Sequence, residues 1–135
     1  MNLYKVKLSS EHIILEDILR CIYEDISNYK FSIFEFDGVM KESSCINTNV
    51  ISRDALSNSS GYRLGIIDIY DLAKNIAQTY DLILAGGSTY PVEFIDNDNW
   101  RKENCIVIEM LDCGDWVIST TNQILINKVE KLSCI

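Results

Sequence analysis

Residues 105–132, CIVIEMLDCGDWVISTTNQILINKVEKL, constrain the fold more tightly than any other stretch of the chain. Cys105, Val107, Glu109 and Leu111 alternate with Ile106, Ile108, Met110 and Asp112, and the β-branched content predicts a strand buried largely on both faces. Asp112-Cys113-Gly114-Asp115 supplies a tight reversal in which Gly114 is free to adopt positive φ, and Trp116, Val117, Ile118 and Ser119 resume the extended pattern. Thr120, Thr121 and Asn122 then offer helix N-caps, and Ile124, Leu125, Lys128, Val129 and Leu132 form an apolar stripe on a short helix. A chain that closes on a hairpin and a helix does not read as a strict series of parallel βαβ units.

The upstream pattern fills in the rest. Alternation over residues 3–8 predicts an opening strand. Ser9 and Ser10 cap a helix running to about Ile26, with Ile14, Ile18, Cys21 and Ile22 on its apolar face. KFSIFEF, residues 30–36, is a second strand, and Asp37-Gly38 marks a turn. Residues 41–60 shift to Ser and Asn, which predicts a long excursion holding one or two edge strands, with the structure of 41–65 left open. Asp68 caps a helix through about Thr79, residues 81–85 form a central strand closed by Gly86-Gly87, and Asp96-Asn97-Asp98-Asn99 caps a brief helix carrying Trp100, Arg101 and Lys102. The fold class that follows is α+β. A single mixed or mostly antiparallel sheet, with helices packed mainly on one face, ends in the β-hairpin and helix, and residues 1–135 make one domain.

Charge narrows the partners. Twenty acidic against twelve basic residues leave a net charge of −8, which opposes nucleic acid and anionic membranes and attracts a basic partner. The same acidity also serves solubility. No signal-peptide layout opens the chain, and no apolar run approaches the length of a membrane span, so a cytoplasmic location is expected. Cys21, Cys45, Cys105, Cys113 and Cys134 show no close ligand spacing and read as small buried hydrophobes in a reducing compartment, with Cys134 the most exposed.

Catalytic equipment is hard to find. His12 is the only histidine and has no dyad partner legible in the sequence. Gly86-Gly87-Ser88-Thr89 follows a strand as a phosphate loop does, but it lacks the lysine and the following helix, so a bulge or chain reversal accounts for it better. DNDN at 96–99 lacks the glycine and the glutamate of a calcium loop and reads as a helix cap, and Asp112 and Asp115 read as turn residues. No cofactor and no metal are expected. What remains is a surface of aromatics beside carboxylates: Tyr90, Trp100 next to Asp96 and Asp98, and Trp116 next to Asp112 and Asp115. Such a set suits a protein interface with a basic partner.

Small, acidic, α+β, without catalytic motifs and rich in Ile, Asn, Ser and Lys, the chain resembles the cytosolic immunity proteins of bacterial contact-dependent growth inhibition systems. The stretch LILAGG through STYP to the final strands and helix is also similar in pattern to a family of small cytosolic firmicute proteins. The first resemblance implies a function: stoichiometric binding and neutralisation of a cognate toxin C-terminal domain with a basic surface, commonly a nuclease, by a monomer or weak dimer that is not an enzyme. The expected contact set is Asp96, Asp98, Trp100, Asp112, Asp115, Trp116 and Tyr90. The alternative is a small-ligand protein or enzyme using the loop from Gly86 to Pro91 beside Asp68 or Asp71.

Overall fold

A computed structural model of the chain describes residues 1–134, the side chain of Cys134 excepted. Six strands, β1 (Tyr4–Leu8), β2 (Lys30–Met40), β3 (Tyr62–Gly65), β4 (Ile76–Gly87), β5 (Ile106–Met110) and β6 (Trp116–Thr120), form one sheet in the order β1-β6-β5-β4-β2-β3. All its pairings are antiparallel. The α+β class and the closing hairpin with its helix are as the sequence predicts.

Four helices cover one face. They are α1 (Leu15–Cys21), α2 (Thr48–Ser57), α3 (Ile66–Asn75) and α5 (Gln123–Glu130). Leu15, Ile18 and Leu19 of the first, Ile51 and Ala55 of the second, Ile69, Leu72 and Ala73 of the third and Leu125, Ile126 and Val129 of the last all enter the main core. They meet Phe31, Ile33 and Phe36 from β2, Leu82 and Leu84 from β4, Ile106 and Ile108 from β5 and Ile118 from β6. Among the described residues, the opposite face is covered by the short α4 (Asp98–Glu103) and the segment before it.

Local signals were outweighed where pairing partners were available. Asp37-Gly38 is no turn: β2 runs through it to Met40 with register shifts. Gly38 permits the close approach there, since a Cβ would stand 2.6 Å from the Gln78 carbonyl oxygen. That extension claims residues 76–81 for β4, so the helix expected through Thr79 ends at Asn75, and it begins at Ile66 behind Gly65. Residues 48–57 form a helix capped by Asn47, and β3 supplies the edge strand. The first helix starts at Leu15 because Asp17 accepts the Ile14 N–H at 3.0 Å, whereas Ser9 caps only a turn to Glu11. It ends at Cys21 in further turns. In α5 the Asn122 cap is as expected, but Ile124 points outward and Ile126 inward.

Three cysteine and turn expectations need correction. Cys45 and Cys113 are exposed, while Cys21 and Cys105 are half-buried. The exposure expected of the Cys134 side chain lies outside the described residues. In the hairpin, Asp112 and Cys113 rather than Gly114 take the left-handed conformation, with φ of 53° and 55°. The Gly114 N–H donates to the Leu111 carbonyl at 2.9 Å, closing a two-residue turn of the type that matches strand twist.

Candidate protein-binding face

The sheet face away from the main helical layer is built in rows set by strand register. One row reads Ser32, Ala85, Val107, Ser119 and Lys5 from β2 to β1, and the next reads Glu35, Ile83, Glu109, Val117 and Lys7. Beyond them Asp37 and Asp81 stand directly opposite each other. A bulge between Ile33 and Glu35 turns Phe34 onto this face as well. Phe34, Ile83, Ala85 and Val107 then make a small second core, closed by Trp100 and Phe94 in edge-to-face contacts at centroid distances of 4.9–5.6 Å.

Arg101 locks that cover down. Its Nε and Nη2 donate to the two Glu109 carboxylate oxygens at 3.0 and 2.8 Å, and Nη2 also reaches Asp96 Oδ1 at 2.7 Å. The bond to Glu109 is the main reason the guanidinium is held more firmly charged than usual. Asp98 is paired with Lys5 at 2.8 Å, a contact that lowers its pKa. The carboxylates of Asp96, Asp98 and Glu109 are thus compensated within the fold.

A second group of carboxylates lies at the uncovered end. Glu35, Asp37, Asp81 and Asp112 gather there, and among the described residues none of them has a cationic partner. The Glu35 carboxyl is pushed up, first by burial and then by Asp81, Asp112 and Asp37. Asp81 Oδ1 accepts the Asp112 N–H at 2.9 Å, and the Cys113 N–H donates to the Tyr80 carbonyl at the same distance, which ties the hairpin tip to β4. Leu111, 58 % exposed, protrudes beside Asp112. It also lines a shallow cleft of about 460 Å3 with Lys7, Asp96, Arg101, Glu109 and Asp115. An apolar knob with a group of carboxylates on one side can dock on a basic surface and steer its approach.

The residues expected from sequence divide accordingly. Asp112 belongs to the uncovered acidic end, whereas Asp115 and Asp96 line the cleft beside Arg101 and Asp98 lies at the Arg101 rim. Trp100 and Trp116 are each 2 % exposed, so neither ring is a surface anchor. They face opposite sides of the sheet: Trp100 closes the second core, and Trp116 enters the main core while its Nε1 donates to the Ile13 carbonyl at 2.8 Å. Tyr90 sits apart between Arg63 and Lys30, with the cations 5.0 and 5.6 Å from its ring centroid.

Sequence reasoning missed Glu35, Asp37, Asp81 and Leu111. The signal was present as acidic residues two apart along one strand, Glu35 and Asp37, but only the β2–β4 register brings Asp81 against them. The Gly86-Gly87 pair continues β4 and packs tightly, since a Cβ on Gly86 would lie 2.4 Å from the Phe31 ring. Asp68 and Asp71 are exposed on α3 in the helical layer. Among the described residues no group of three or more His, Cys, Asp or Glu is arranged to hold a metal ion, and no helix is long and apolar enough to cross a membrane. Comparison with protein families, with curated proteins and with solved structures found no match to this chain.

Proposed function

We propose that this chain is a cytoplasmic bacterial immunity protein that neutralises a cognate toxin domain, a nuclease by preference, through a stoichiometric complex. The observation that carries the reading is the uncompensated cluster Glu35, Asp37, Asp81 and Asp112, with exposed Leu111 next to Asp112 in the chain, in a protein of net charge −8. A nuclease that handles polyanionic substrate presents a basic cleft, and this face meets it with carboxylates in place of phosphates. Leu111 supplies apolar burial, and exposed Asp115 adds a carboxylate in the cleft that Leu111 lines.

The cluster comes at a cost to stability, which favours a binding role over mere solubility. Carboxylates placed directly across two strands repel, and scattered surface acids would provide solubility without that penalty. The test is co-expression with the C-terminal domain of the toxin encoded beside this chain's gene. Cells survive only when this chain is present, and the two proteins co-purify one to one. The variant D37N/D81N/D112N/D115N associates about tenfold or more slowly at low salt and loses most of the salt dependence. Unchanged association and protection in that variant would remove this face from the account.

A further inference from the structure

We infer a second docking site, at the sheet edge rather than at the acidic hairpin end: the free edge of β1 accepts an extended peptide strand that alternates apolar and acidic residues. β1 is the last strand of the sheet, with β6 on one side and, among the described residues, no strand on the other. An edge strand leaves alternate N–H and C=O groups without ladder partners, the arrangement that strand addition exploits.

Two features distinguish this edge from one that is merely exposed. Beside its C-terminal end lies a groove of about 630 Å3 lined by the apolar Leu8, Ile13, Cys21 and Leu132, with Lys7 and an Asp17 that faces Arg20 also in its lining. A strand added outside β1 directs alternate side chains to the helical side of the sheet, into this groove. Its other side chains fall beside Lys5 and Lys7, which project from the opposite face in register with Ser119 and Val117. Lys7 has no ion-pair partner among the described residues, so a carboxylate on the incoming strand completes its pairing. Together these set the occupant's pattern: apolar residues toward the groove, and Glu or Asp toward Lys7, since Lys5 is already paired with Asp98.

The same charges argue against a second copy of this chain. Antiparallel pairing of β1 with itself about Val6 would place Lys5 opposite Lys7 twice. The other edge, β3, has four residues and passes directly into α3, so it offers a shorter template.

The test is fluorescence anisotropy with the full chain and a labelled seven-residue peptide alternating Glu with Val or Ile, read alongside amide exchange of β1. The peptide binds and slows exchange in β1. N-methylation of one alternate set of peptide residues abolishes binding while methylation of the other set leaves it, because a strand pairs through one edge only. Replacing Glu by Lys in the peptide, or Lys7→Glu in the protein, weakens binding about tenfold, and the two changes together restore it. No binding at millimolar peptide, indifference to both methylation patterns, or binding without protection of β1 would overturn the inference. A dimer protected in β1 without peptide would instead assign the edge to a second copy. None of these readouts involves the toxin, so the acidic-face reading stands or falls separately.

Discussion

Replacing Arg101 by Met should destabilise the fold by about 2–3 kcal/mol, even though a short surface helix carries it. The side chains of Arg101 and Glu109 are only 11 % and 12 % exposed, and two hydrogen bonds of 2.8 and 3.0 Å join them. Removing one member of a fully buried pair costs about 3–5 kcal/mol because the other charge is left without a partner. This pair lies in an open cleft near Lys7, which places the loss below that range. The third bond, to Asp96, adds little, since Asp96 is 77 % exposed and exposed pairs contribute roughly 0–1 kcal/mol. With a urea dependence of about 2 kcal/mol per molar, the unfolding midpoint falls by roughly 1–1.5 M. The double variant R101M/E109L recovers most of the loss, because apolar replacement of both partners removes the stranded charge. A loss below about 0.5 kcal/mol, or strictly additive effects of the two substitutions, would refute the claim that this pair anchors the cover of the second core.

Three further outcomes follow from the acidic end. Asp37→Asn relieves a directly opposed like-charge pair and raises stability by about 0.2–1 kcal/mol at low salt while weakening the proposed complex; matched denaturation and binding titrations detect the opposite signs. Glu35 has a raised pKa in the fold, so the native state holds the proton more tightly than the unfolded chain and ionisation costs stability as pH rises. Glu35→Gln is therefore stabilising at pH 7, and the gain disappears as pH falls below the ordinary glutamate value of 4.5; a gain independent of pH would contradict the stated cause. Cys113 holds φ at 55°, a conformation glycine adopts freely, so Cys113→Gly stabilises by about 0.5–1 kcal/mol in thermal unfolding, and a loss would show that the thiol packs usefully.

The hairpin and closing helix were legible because strand alternation, turn residues and the Asn122 cap agree locally. The 76–81 segment was misread for the opposite reason. Ile69, Leu72, Ala73, Ile76 and Ala77 recur at helical spacing, yet pairing with the extension of β2 beyond Gly38 outweighs that period. The site suffered most. Trp100 and Trp116 stand beside acids in sequence, but helix and strand geometry turns both rings inward. Asp112 and Asp115 could be picked out because the turn that exposes them is local. Glu35, Asp37 and Asp81 form a group only through a register between strands about 45 residues apart, which no local pattern encodes.

The proposed role is tested most sharply by an amide-exchange footprint of the complex with the toxin domain that the co-expression experiment identifies. Added protection at residues 35–39, 80–82 and 111–115, with the amides of α1 and α3 unchanged, is the predicted result. Protection confined to the helical layer would place the partner on the opposite face of the sheet and contradict the account.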